Sequence, residues 1–322
     1  MAILKSDKNG ETIFLHVHHV FGRRKVANGT WLQDAEISSV HAAIRWSGER
    51  WLIKDHSKNG TWLNGNRMQP GAELPLVQGA CIGFGHSEDN LYTVIDLSPP
   101  VPLLVRLDCE DIQVIELKSI NALPTIKTPE AFVFLSDQGE WICEGEHRTF
   151  PLSDGHILHL GGSAWRFIAP GVSETTLDIV QSGIVDRESV HLHFRVSLDE
   201  EHTFLKLGYN GEIYDLGERI HHFLLLTLAR SRQADRERQI DPAEQGWVEI
   251  EDLSKMLGLE VSHTNIQIFR ARKQVCEALA GKLSSVQLVE RRRGAVRIGC
   301  PRFNITRGSA QEVEQACSFD VE

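Results

Sequence analysis

With 322 residues, 41% of them apolar and 24% charged, and a formal net charge of −10, the chain is long enough for two or three cored domains and too acidic as a whole for indiscriminate nucleic-acid binding. No apolar run approaches the roughly 20 residues of a membrane helix, Met1-Ala2-Ile3-Leu4-Lys5 lacks the basic and apolar regions of a secretory signal, and the six scattered cysteines form no Cys-x-x-Cys pair. A cytoplasmic protein with reduced, buried thiols and no membrane partner is expected.

The first part reads as short strands of alternating apolar and polar residues, including Thr12 to Val17, Ala42 to Trp46, Trp51 to Lys54 and Leu91 to Ile95, separated by Gly- or Asn-containing turns. His16-x-His18-His19 would place two imidazoles on one strand face, the geometry a metal needs; alternation on an exposed strand explains it as well, and no metal is expected. Asn59-Gly60 and Asn64-Gly65 flank the apolar Thr61-Trp62-Leu63, and each pair marks a turn because Gly, and less readily Asn, accepts positive φ. Ser98-Pro99-Pro100-Val101-Pro102 reads as a proline-stiffened linker, which puts the boundary at 98.

Gly22-Arg23, Ser38-x-x-His41 and Asp55-x-Ser57-x-Asn59-Gly60-Thr61-x-x-Asn64-Gly65, in order and at matching spacing, resemble a forkhead-associated (FHA) domain over residues 1–98. The resemblance implies a β-sandwich whose loops bind phosphothreonine peptides. A phosphothreonine carries nearly two negative charges and three acceptor oxygens, so its pocket needs a fixed cation and neutral donors. The resemblance assigns the charge to Arg23, further donors to Ser38, Ser39 and Lys58, and the peptide backbone to Asn59, whose amide both donates and accepts. Gly22, His41, Gly60, Thr61, Asn64 and Gly65 are expected to shape the loops.

Residues 99–172 are again strand-like, at Phe132 to Leu135, Glu140 to Cys143 and Ser163 to Ile168, and Leu152 to Gly161 resembles the closing hairpin of an FHA domain. With no Gly-Arg, no Ser-x-x-His and no Asn-Gly-Thr, this segment reads as a degenerate copy, expected to serve as a spacer or docking surface.

The third part, 173–300, opens with paired strands at His191 to Val196 and Thr203 to Leu207 and then turns helical: Ile220 to Leu228, Ile250 to Leu257 ended by Gly258, and Ser262 to Ala280. In the last of these, Thr264, Ile268, Ala271, Val275 and Leu279 form one apolar stripe. Gln267, Arg270 and Lys273 lie opposite, with Arg272 at the edge. A hairpin, Val286 to Glu290 and Ala295 to Gly299, turns on Arg291-Arg292-Arg293-Gly294. Residues 263–299 carry eight basic against two acidic side chains, a local +6 that leaves −16 for the remainder.

This order resembles a winged helix-turn-helix of the response-regulator effector (OmpR/PhoB) class. It implies double-stranded DNA as partner, with Gln267, Arg270, Arg272 and Lys273 in the major groove and Arg291, Arg292, Arg293 and Arg297 on the backbone or minor groove. Phe269, where that class often has a polar residue, and the charged insertion from Arg232 to Gly246, expected to be a mobile loop, depart from the pattern. Residues 301–322 are expected to form a flexible acidic tail.

The fold expected is mainly β with a C-terminal α/β module. The function expected is a transcription regulator that couples phosphothreonine recognition to DNA binding; the alternative is an adaptor in Ser/Thr kinase signalling that does not bind DNA. The phosphorylated partner would be a Ser/Thr kinase, its substrate, or a second copy of the chain in a homodimer. No Gly-rich phosphate loop before a helix, Gly-x-Ser-x-Gly, His-Glu-x-x-His or kinase signature is present, so neither an enzyme nor a cofactor is expected.

Overall fold

The structure, a computed structural model, describes residues 1–109, 111–136, 139–145, 148–171, 190–279, 288–292, 294–308 and 310–313. They fall into two compact units. The first takes in 1–117, 153–159 and the described residues from 163 on; the second takes in 118–152, 160–162 and the described residues from 190 on.

In the first unit, β1 (Ile3–Ser6), β2 (Thr12–Phe14), β3 (His18–Gly22), β4 (Gly29–Trp31), β5 (Ala42–Trp46), β6 (Trp51–Asp55), β7 (Thr61–Leu63), β8 (Asn66–Arg67), β9 (Glu73–Pro75), β10 (Cys81–Phe84) and β11 (Leu91–Asp96) form two sheets, ordered β2-β1-β11-β10-β7-β8 and β4-β3-β5-β6-β9. Period-two alternation builds the core between them: on β6, Trp51, Ile53 and Asp55 point in while Leu52 and Lys54 point out. Leu4, Phe21, Ile44, Ile82 and Phe84 meet them there, with Phe21 and Phe84 stacked at 4.6 Å. Each such buried side chain contributes about 1.5–3 kcal/mol, and together they hold the sheets whose loop ends carry the candidate site.

The segment 99–172, expected to be one module, is divided. β12 (Leu103–Arg106) and β13 (Val114–Glu116) pair with β18 (Ile157–Leu160) and β19 (Ser163–Ile168) in the order β13-β12-β19-β18, and Leu103, Val105 and Ile168 pack on Met1 and Phe14 in the first unit. β14 (Ile120–Pro124), β15 (Pro129–Leu135), β16 (Trp141–Gly145) and β17 (Thr149–Pro151) form a separate antiparallel sheet that belongs to the second unit.

The second unit continues with β20 (Val190–Val196), β21 (Thr203–Tyr209) and β22 (Glu212–Glu218), followed by α1 (Ile220–Glu237), β23 (Val248–Glu249), α2 (Ile250–Leu257) and α3 (Val261–Ala278). β24 (Val289–Arg292) and β25 (Ala295–Ile298) close a three-stranded sheet in the order β23-β25-β24. Gly258 ends α2 at φ 64°, a left-handed cap that relieves the last carbonyls without a Cβ clash. Leu192, Phe194, Leu224, Leu228, Ile268 and Val296 lie in one core.

Two expectations fail here. The tail is not flexible from 301: β26 (Arg302–Arg307) pairs in parallel with β20, Phe303 and Ile305 are fully buried, and β27 (Ala310–Val313) adds an edge strand. The insertion after Arg232 is not a mobile loop. α1 runs on to Glu237, buried Arg232 donates to the Ile298 carbonyl at 2.8 Å, and Gln245 is buried beyond it. In both places the anchoring partner lies more than 60 residues away in sequence, beyond the reach of local pattern.

Candidate functional site

Three loops of the first unit meet at the ends of β3, β5 and β6. Backbone N–H groups of Arg23 and Arg24 donate to the carbonyls of Ser38 (2.9 Å) and Ser39 (3.1 Å), tying the first loop to the second. The third loop joins them through Lys58, whose N–H donates to Ser38 Oγ at 3.1 Å, and Asn59, whose Nδ2 donates to the Glu36 carbonyl at 2.7 Å. Arg23, Ser39, Lys58 and Asn59 are exposed and Ser38 is half-buried. The Arg23 guanidinium forms no hydrogen bond or ion pair among the described residues, so one full positive charge stands at the mouth. Ser38 Oγ, already accepting, still has its proton to donate. Asn59 is clamped through one N–H and keeps its carbonyl and second N–H for a ligand.

Beneath this rim the loops are fixed by buried groups. His41 is fully buried; its Nδ1 accepts the Ser38 N–H at 3.2 Å and its Nε2 lies 3.1 Å from the Gly60 carbonyl, so the neutral Nε2–H tautomer satisfies both. Burial holds its pKa below the usual imidazole range. Thr61, also fully buried, donates through Oγ1 to Asp55 at 2.7 Å, and Ser57 Oγ accepts the Gly60 N–H at 2.8 Å. Gly60 has φ 104°, and a Cβ on Gly22 would come within 2.3 Å of the Ser39 carbonyl oxygen. Asn64 and Gly65, at φ 52° and 77°, turn β7 into β8, and Asn64 Oδ1 accepts the Cys81 N–H. Nine of the eleven residues singled out in the first domain thus lie on these loops or directly beneath them, and Asn64 and Gly65 lie on the β7–β8 turn.

The histidine run does not lie on an exposed face. His16 and His19 are buried, stacked at 5.5 Å, with Nδ1 atoms 3.3 Å apart, while His18 points out. His16 Nε2 lies 3.2 Å from Asp154 and His19 Nε2 lies 2.9 Å from Thr30 Oγ1. Among the described residues no group of three or more His, Cys, Asp or Glu is placed to hold a metal. Burial, then the neighbouring imidazoles, push His19 down to about 3. Neutral His19 therefore stabilises the fold above about pH 6.5, its unfolded value, and this contribution is lost as pH falls from there toward 3. Urea midpoints recorded across that window are expected to fall less steeply for His19→Gln than for wild type.

The basic residues of the second unit are placed otherwise than expected. On α3, Arg270 is exposed and forms no hydrogen bond or ion pair among the described residues, and half-buried Lys273 lies 3.7 Å from Glu277. Gln267 and Arg272 are buried, at 9% and 6% exposure. Arg272 donates to the Val289 carbonyl at 2.6 Å and lies 3.2 Å from Glu144. The Arg291 side chain is buried 3.1 Å from the same carboxylate. Arg292 pairs with Glu244, Arg297 pairs with Glu290 at 2.6 Å, and both guanidinium groups lie over the Trp247 ring. Arg293 lies outside the described residues. The reading of Gln267, Arg272, Arg291, Arg292 and Arg297 as open DNA contacts is therefore corrected: carboxylates already pair with the four arginines, Glu144 and Glu244 from far away in sequence and Glu290 from within the hairpin of Arg297, and Gln267 is covered. Glu144 and Gln274 had no local signal. Gln274 Oε1 accepts from both His221 (2.7 Å) and His222 (2.8 Å), clamping α1 to α3.

No curated protein matches the chain. Among solved structures, it is similar to the FhaA FHA domain complexed with the intracellular domain of Rv3910, at 33% identity over 29% of this chain and 99% of that one, with a TM-score of 0.26. It is also similar to the N-terminal FHA domain of Rad53p from S. cerevisiae in complex with a phosphothreonine peptide, at 24% identity over 30% and 93%, TM-score 0.28. A third, Mycobacterium tuberculosis EmbR in complex with a low-affinity phosphopeptide, is 23% identical over 30% of this chain and 25% of that one, TM-score 0.27. Scores this low lend no weight to the fold. Residues 19–85 match the FHA domain family model, the span that holds all three meeting loops, and through this N-terminal part the chain belongs to the FHA-domain family.

Proposed function

We propose that the chain is a transcription regulator in which a phosphothreonine peptide bound at Arg23, Ser38, Ser39, Lys58 and Asn59 controls DNA binding by the second unit. The unpaired Arg23 guanidinium, standing over three tied loops, two of them joined by the His41 ring, is the observation that carries the peptide half. It supplies fixed charge and free donors where a doubly charged phosphate needs them. The match of residues 19–85 to the FHA domain family model supports the same ligand class. The partner would be a phosphorylated kinase, its substrate, or a second copy of this chain.

The DNA half is supported by the order α1, β23, α2, α3 and hairpin β24–β25, the sequence of elements of a winged helix-turn-helix, and by the exposed Arg270 beside Lys273 on α3. A specific observation favours the adaptor reading as well: most of the remaining basic residues are internally paired. Retention on immobilised duplex DNA across a salt gradient separates the two. Wild type is expected to elute later than the Arg270→Ala/Lys273→Ala double variant, and later still with saturating phosphopeptide. Identical early elution of both proteins would leave the adaptor.

A further inference from the structure

One charge cluster of the second unit is buried. Glu144 on β16 is 3% exposed and faces two guanidinium groups, Arg272 of α3 at 3.2 Å and Arg291 of β24 at 3.1 Å. Burial raises the Glu144 pKa, but the two arginines outweigh it and hold the carboxyl below its usual range. Beside this triad Phe269 of α3 stacks on Phe132 of β15 at 5.4 Å, and Ile120 of β14 completes a small apolar cluster. Phe269 follows Ile268 by one residue, about 100° round the helix, so it leaves the core stripe for the flank that the sheet β14–β17 covers. The seam opens at one end into a cleft of about 750 Å³ between Arg148 and Thr149 of the sheet side and Arg291 and Arg292 of the hairpin.

We infer that the sheet β14–β17 is an intramolecular cover over the DNA-facing surface of the basic module, with the Glu144 carboxylate occupying the place of a DNA phosphate. The inference rests on the DNA-binding reading above and adds how that binding is controlled. One carboxylate against two guanidinium groups leaves a positive charge over, as in a site made for more anionic charge than Glu144 brings. The seam is also easier to part than the module itself. Among the described residues it buries Ile120, Phe132 and Phe269, with Ala122 and Phe134 partly buried beside them, whereas α1, α3 and the β20–β22 sheet share a core several times larger. A buried ion pair adds little net stability over solvated charges, because desolvation offsets most of its attraction. Removing the cover would return Arg272 and Arg291 to solvent; Arg272 lies about 160° round α3 from exposed Arg270, with Phe269 and Lys273 on the arc between them. Phe269, out of place as a base reader, has its role in holding the cover.

Two full-length variants act on independent contacts: Glu144→Lys, which sets a third cation against Arg272 and Arg291, and Phe132→Asp, which breaks the apolar contact. Each is expected to bind duplex DNA at least tenfold more tightly than wild type at the same salt, with the gain abolished when Arg270→Ala is added. Gain of Arg270-dependent binding cannot come from misfolding, and either variant suffices if the other fails to fold. Wild type and both variants binding DNA with equal affinity would overturn the cover and leave the DNA-binding reading standing. No salt-sensitive binding by any of the three would overturn the reading and the cover with it.

Discussion

Replacing Arg23 by Ala is expected to weaken phosphothreonine-peptide binding about 100-fold while leaving the unfolding transition of the chain where it was. The two halves of the expectation come from one fact: the Arg23 side chain is exposed and forms no described hydrogen bond or ion pair, so nothing in the fold depends on it. A charge-assisted hydrogen bond to a doubly charged phosphate is worth about 1.5–3 kcal/mol, and a guanidinium can form two. Ser38→Ala removes a single neutral donor and should cost nearer tenfold. Titration calorimetry with a phosphothreonine peptide and its unphosphorylated counterpart reads both. If Arg23→Ala retains wild-type affinity, the phosphate is held elsewhere and the assignment of this mouth fails.

His41→Ala is expected to act differently, lowering stability by about 3 kcal/mol and abolishing peptide binding together. His41 is fully buried and its ring joins two loops by accepting from the Ser38 N–H and donating to the Gly60 carbonyl. Truncation leaves a cavity edged by Phe84, which meets the ring at 5.9 Å, and deprives Ser38 N–H and Gly60 C=O of a partner. The same network carries a pH signature. Burial depresses the His41 pKa, so its contribution is complete above about pH 6.5, the unfolded value, and drains as pH falls and a proton claims Nδ1. Urea unfolding measures the stability, and a His41→Ala chain whose peptide affinity survived would show that the loops are positioned without it.

The loop cluster around Arg23 was legible in the sequence because its signals are local: a glycine that must approach Ser39, asparagine-glycine turns, and a Ser-x-x-His whose two members bond across three residues. The basic module was legible as elements and misleading as a surface. Periodicity placed Ile268, Ala271 and Val275 in the core correctly, and it left Arg272 near the outer face, since nothing in the α3 sequence announces a carboxylate 128 positions upstream. β26 escaped notice for the same reason. Phe303 and Ile305 alternate over too few residues to signal a strand, and the β20 partner that buries them lies more than a hundred residues earlier. His16 and His19 read as strand decoration because the Asp154 that receives His16 belongs to a distant turn.

The way the chain is shared between its units bears on how such a protein could arise and be dissected. The backbone passes from one unit to the other after residues 117, 152, 159 and 162 and again between 171 and 190, so neither is a bead on a string. Recombination at 98 or at 172, where composition suggests a boundary, would deliver the FHA part without the strands that pack on Met1 and Phe14, or the basic module without the sheet that holds Glu144. The two units are therefore inherited together. A fragment cut at either point is a different molecule from the one whose regulation it is meant to report.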